Sequence, residues 1–147
     1  MKPAPCFYSS PLSRFCAENL PGDFHYLDGD EVLFRHSAQP VVYARETGTL
    51  RVLESKLPGE TIRRSQREVL PFLAAAIQLA VKAGLLSIRS GVFVIEGRPP
   101  YEDGALVSRV RPAQHLIDWQ SIGVQLERSV QMTSPQFELF MRCRGMA

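Results

Sequence analysis

The chain has 147 residues, 45% of them hydrophobic and 22% charged, with a formal net charge of +2; this balance excludes wholesale disorder, and the length suits one domain with room for an appended terminal piece. Its longest apolar stretch, Val69 to Val81, is broken by Pro71 and Gln78 and falls short of the roughly 20 residues that cross a bilayer. Residues 1–50 hold four Lys/Arg against six acids and residues 51–97 hold seven against four, a milder basic bias than dedicated nucleic-acid binders carry.

Residues 1–22 contain Pro3, Pro5, Pro11, Pro21 and Gly22, so extended and turn structure is expected there, with at most one short helix around Leu12 to Asn19. These prolines also interrupt any signal-peptide-like apolar segment, which makes a cytoplasmic location the expectation. Next, "FHYLDGDEVLFRH" predicts a hairpin of Phe24–Leu27 and Glu31–His36 about Asp28-Gly29, both of which tolerate positive φ. "VVYAR", residues 41–45, reads as a strand, because β-branched and aromatic side chains suit a pleated, half-buried surface. The stretch "ETGTLRVLESKLPGETI" supports two readings: a strand hairpinned about Thr47-Gly48, or a short helix through Leu50, Leu53 and Leu57 ended by Pro58-Gly59.

From Ser65 the period is helical. Val69, Leu70, Phe72, Leu73, Ala76, Ile77, Ala80 and Val81 form the apolar stripe, Ala74 and Ala75 fall on the other face, Pro71 marks the true start or a bend, and Gly84 ends the helix. Ile88-Arg89 and Val92–Ile95 then predict a wing-like hairpin about Ser90-Gly91. "GRPPYEDG", Gly97 to Gly104, reads as a linker between an N-terminal unit, residues 1–97, and a helical extension, residues 98–147, packed on it. Pro112 opens a helix with His115, Trp119, Ile122, Leu126 and Val130 as its stripe, and Ser134-Pro135 supplies the N-cap and first residue of a last helix.

This order of elements, an α+β chain of antiparallel strands followed by a winged-helix-like unit and a C-terminal helical extension, resembles the PqqD-type peptide chaperones and the recognition elements of ribosomally made peptide natural products. The resemblance covers residues 24–86 and rests on "VVYARETGTLRVLESKLPGETI" and "VLPFLAAAIQLAVKAGLL". It departs from the family at Arg45-Glu46 and at Pro58-Gly59, and its middle helix is squeezed into Glu60–Gln66. The resemblance implies a non-enzymatic adaptor that adds an extended peptide along Val41, Val42, Tyr43, Ala44 and Arg45 and grips it with Leu73, Ile77 and Val81 of the core helix.

The alternative is a winged-helix DNA binder using Arg63, Arg64, Arg67 and Arg89 with the 88–95 hairpin. A third reading, an enzyme, has no motif behind it: His25, His36 and His115 are scattered, and Asp28, Asp30 and Glu31 suit a turn. Cys6, Cys16 and Cys143 make no CxxC pair or zinc set, so reduced thiols and no catalytic residue, metal or cofactor are expected. The last helix carries Phe137, Leu139, Phe140 and Met141, which cannot all face inward; the reading favours a partner or homodimer contact through Phe137, Phe140 and Met141 over docking on its own domain.

Overall fold

The structure, a computed structural model, describes residues 25–28, 40–60, 64–114 and 124–144. Six strands form one sheet: β1 (His25–Asp28), β2 (Pro40–Ala44), β3 (Thr49–Lys56), β4 (Gly91–Glu96), β5 (Ala105–Val110) and β6 (Leu126–Met132), lying side by side in chain order. Helix α1 (Arg64–Lys82) connects β3 to β4, and α2 (Ser134–Met141) follows β6. All neighbours are antiparallel except β3 and β4, which run parallel with Val52 opposite Val92 and Leu53 opposite Phe93. A parallel pair needs a long crossover, and α1 supplies it. The architecture is therefore mixed α and β, with a βαβ unit at its centre where an antiparallel, winged arrangement was expected.

Of the two readings of residues 46–57, the strand holds. Gly48 takes φ 65° in the turn from β2, and β3 is buried along most of its length on both faces, a pattern that follows from lying between two neighbours and two helices. The expected wing is absent: residues 87–90 form turns, and Gly91–Glu96 pairs with β3 and β5 instead of folding back on Ile88. β1 pairs with β2, while Glu31–His36 of the expected hairpin lie outside the described residues.

Helix α1 ends as its sequence predicts. Gly84, at φ 78°, donates to the Val81 carbonyl and Leu85 to the Ala80 carbonyl, the paired bonds of a Schellman cap. The helix runs through Pro71, whose carbonyl accepts from the Ala113 amide. Its buried stripe is Leu70, Ala74 and Ile77, packed on Val52, Val92, Val94 and Val110. Ala74 therefore faces the sheet, and Phe72, 56% exposed, does not; each apolar side chain buried here contributes about 1.5–3 kcal/mol, less for alanine.

The opposite face of the sheet is covered by α2. Thr133, one residue before the expected cap, closes a capping box with Gln136. Phe137, Phe140 and Met141 are buried against Leu53, Phe93, Ile95 and Val107, and only Leu139 of the four apolar residues is exposed. The terminal helix thus docks on its own sheet, and the partner or homodimer contact expected through Phe137, Phe140 and Met141 is corrected. Gly97–Gly104 is likewise not a linker but the connection of the β4–β5 hairpin, with Tyr101 buried on Phe137 at 4.5 Å between ring centroids. The sheet runs unbroken across residue 97. Leu126 and Val130, expected on a helix stripe, belong to β6, and residues 115–123 lie outside the described residues.

Cys143 reports on this docking. It is fully buried, and burial pushes its thiol above the ordinary range, against opposing pulls from Arg51 and from a backbone hydrogen bond at Ala44. In a chain with Cys6→Ser and Cys16→Ser, labelling of Cys143 by a thiol reagent at neutral pH should run at least about a thousandfold slower than in urea. Labelling at the unfolded rate would show that α2 does not stay on the sheet.

Candidate binding site at an open sheet edge

The strand expected to be open is an interior one. β2 is held on one side by β1, His25 opposite Tyr43, and on the other by β3, Tyr43 opposite Leu50. Val42 and Ala44 are buried in the α2-side core, Val41 and Tyr43 are half-buried, and Arg45 is exposed in the turn that follows. Val41, Val42 and Tyr43 are engaged in two ladders, which leaves no room for a guest strand; Ala44 pairs with Thr49 and Arg45 lies in the turn, so the five do not form a receiving edge.

The described sheet ends at β1 on one side and at β6 on the other; among the described residues β6 has a ladder to β5 alone, and its residues are exposed or half-exposed up to Met132. The ladder is irregular between Val107 and Arg109, and Arg128 takes φ 51° opposite this shift. Such a bulge bends the strand and ends its flat portion. Beyond it, Ser129 to Met132 form a short stretch of edge without a charged side chain.

At the other end of β6, where Glu127 and Arg128 meet α1 and β5, lies a cleft of about 330 Å³ between α1 and the sheet, at the small end of the roughly 300–1,000 Å³ typical of ligand sites. Ala74, Ile77 and Val81 form its helical wall, and Val92 and Val110 its floor. Of the expected gripping residues, Ile77 and Val81 line the cleft; Leu73 packs partly buried against the core below.

The cleft's far end is basic, with Lys82, Arg109, Arg128 and one acid, Glu127. Glu127 is drawn away by Arg111 at 3.3 Å. Arg109 lies over the Phe93 ring at 4.8 Å and donates through Nη1 to the Ser90 carbonyl at 3.0 Å; its Nε and Nη2 are buried with no hydrogen-bond partner. Burial, and then Arg128, lower the Arg109 pKa against the pull of Glu127. A methyl at the Gly91 Cβ position would meet the Arg109 guanidinium, so the missing side chain leaves room for that group to lie over the start of β4.

The arginines singled out for nucleic acid do not come together. Arg63 lies outside the described residues, and Arg64 and Arg67 begin α1, whereas Arg89 follows its far end; a helix of this length separates them by about 28 Å. Arg89 belongs instead to a second group, with Arg51, Arg109 and Arg128 influencing one another through space. Sequence reasoning missed Arg51, Arg109 and Arg128 because each sits in a strand that reads as core or as helix. The alternation in "ALVSRV" and "LERSVQM" was the available signal.

Among the described residues no group of three or more His, Cys, Asp or Glu could hold a metal, and no helix is long and apolar enough to cross a membrane. The chain matches no protein-family model, no curated protein and no solved structure.

Proposed function

We propose that the protein is a non-enzymatic adaptor that holds an extended peptide or protein segment by strand addition to β6, with the guest's alternate side chains reaching the cleft beside α1. The observation that carries this reading is an edge strand, β6, with a ladder to β5 alone, whose first half at Glu127 and Arg128 lines an apolar cleft together with Ile77, Val81 and Val110. Main-chain hydrogen bonds along the edge supply affinity for any extended segment, and the cleft selects among side chains. The bulge at Arg128 limits the flat edge to about four residues, which favours a short guest over edge-to-edge self-association.

Successive residues of an edge strand turn their backbone groups alternately inward and outward. Of Val130→Pro and Gln131→Pro, one variant should therefore lose a bond to β5 and stability, and the other should fold as the parent does. With peptides selected on the full chain from a random displayed library, the well-folded proline variant should bind at least about tenfold more weakly. Unchanged affinity in that variant, or a library that yields no binding peptide, would refute strand addition.

A further inference from the structure

We propose that the guest is a segment polarised in charge, with its acidic residues gathered at the end that lies against Lys82 and Arg89, one apolar residue in the cleft beside α1, and no acid over the far half of β6. This deepens the strand-addition reading and rests on it for the guest's extended form.

Two observations carry it. The first is a change of sign along the edge. At the start of β6, the end of α1, the turn before β4 and the end of β5 bring together Lys82, Arg89, Arg109 and Arg111. The single acid there, Glu127, is engaged by Arg111 at 3.3 Å. Arg109 is turned toward the Phe93 ring and adds field without contact, and Arg128 is already engaged. Lys82 and Arg89 are exposed, and among the described residues no ion pair holds either of them. The negative half charge at the C-terminal end of α1 is too small to cancel this excess. At the far end of β6, beside Gln131, the acids Glu96, Glu102 and Asp103 outnumber Arg98. The two ends stand about 20 Å apart along the strand, and the screening length at physiological salt is about 8 Å, so a bound segment feels each separately. A nucleic acid carries one sign along its whole length and meets repulsion at Asp103, whereas a peptide with acids at one end only is favoured at both. The second observation is the cleft beside the basic end. About 330 Å³ between Ile77, Val81, Val92 and Val110 accepts one large aliphatic or aromatic side chain, and Ile88, 71% exposed on its border, is apolar surface for the same residue to cover.

The test selects peptides from a random displayed library on the full chain at physiological salt and takes the tightest of them as the probe. Most selected sequences should carry two or more Asp or Glu on one side of an apolar residue and none on the other. Replacing those acids by Asn and Gln should weaken the probe at least about tenfold, as should the paired substitution Lys82→Glu and Arg89→Glu, with Lys82→Gln and Arg89→Gln falling in between. The Asn and Gln probe on the parent chain decides if the reversed pair folds poorly. Selected peptides without an acidic bias, a probe indifferent to the loss of its acids, or a duplex DNA of about 20 base pairs that displaces the probe at equal concentration would each overturn the acidic guest. The well-folded β6 proline variant separates the two readings. If only strand addition fails, the acidic probe binds that variant as it binds the parent and still responds to charge reversal. If only the acidic guest fails, selected peptides lose affinity for the proline variant but show no acidic bias. A library without binders refutes strand addition; acetyl-Glu-Leu-Asp-Glu amide against its Gln-Leu-Asn-Gln counterpart, read from the Ser90 and Gly91 amides of the ¹⁵N-labelled chain, then decides the charge preference, and equal shifts overturn it.

Discussion

Arg51→Ala is expected to destabilise the fold by about 3–5 kcal/mol, a large share of the roughly 5–15 kcal/mol that holds a domain of this kind together. Arg51 is 1% exposed at the third position of β3. Its Nε donates to the Arg89 carbonyl at 3.0 Å and its Nη1 to the Phe140 carbonyl, so one side chain ties β3 to the turn before β4 and to the end of α2. Its guanidinium also lies 4.4 Å from the Phe140 ring centroid and 5.3 Å from that of Phe93. Truncation leaves two carbonyls without this donor, at about 1–3 kcal/mol each where they stay dry, and opens a cavity between two rings; relief of the arginine's own desolvation offsets part of the loss. Arg51→Met, which keeps most of the volume, should cost about half as much. Burial first, and then Arg109 and Arg89 against the pull of Cys143, bring the Arg51 pKa down to about 10. The folded value lies below the unfolded one, so the unfolded chain holds this proton more tightly and the side chain contributes a rise in stability only as pH climbs above about 10. Urea denaturation at neutral pH measures the substitution without that complication. A change below 1 kcal/mol for Arg51→Ala would refute the assignment, and faster labelling of Cys143 should accompany the loss, because the same bond anchors the helix that buries it.

The elements with local signatures were legible. The 3.6-residue period of α1 and its stop at Gly84 follow from side-chain spacing and one positive φ, both of which sequence carries directly. The cap of α2 was legible to within a residue, since Thr133, Ser134 and Pro135 are all good starters. The destination of α2 was not: Phe137 and Phe140 show an apolar helix, but only the pairing of β4 with β5 and β6 creates the face that receives them. The same non-local fact hid the candidate site. Whether a strand is an edge depends on what pairs with it, and the short β1 decides this for β2 from a register in which His25 meets Tyr43. Leu126 and Val130 fit both a helix stripe and an alternating strand, and the helix reading concealed one of the two edge strands of the described sheet. Two arginines complete the list, because buried Arg51 and half-buried Arg109 sit where alternation calls for apolar residues, and their aromatic neighbours come from other elements.

Gly104→Ala should be the most damaging single methyl in the described chain, and Gly59→Ala shows why when the two are compared. Both glycines hold a left-handed φ, +83° and +86°, so an alanine at either carries the same backbone strain of about 1–2 kcal/mol. At Gly59 nothing lies within 4 Å of the added carbon; at Gly104 it would overlap the Met132 carbonyl oxygen and crowd Thr133 at 3.2 Å. Those atoms are backbone, joined to the last pairing of β6 and to the capping box of α2, so they cannot turn aside as a side chain does. The expected cost is about 1–2 kcal/mol at Gly59 and about 4 kcal/mol or more at Gly104, a difference of roughly 4–12 °C or more in melting temperature at about 2–4 °C per kcal/mol. Met132 also ends the stretch of edge offered to a guest, and displacing it shortens the ladder that an added strand could form. At a temperature where both variants remain folded, Gly104→Ala should weaken the selected peptides several-fold while Gly59→Ala leaves them unchanged. Equal stability of the two would mean that the β4–β5 loop does not press on the β6–α2 junction, and equal peptide affinity would mean that the guest does not reach Met132.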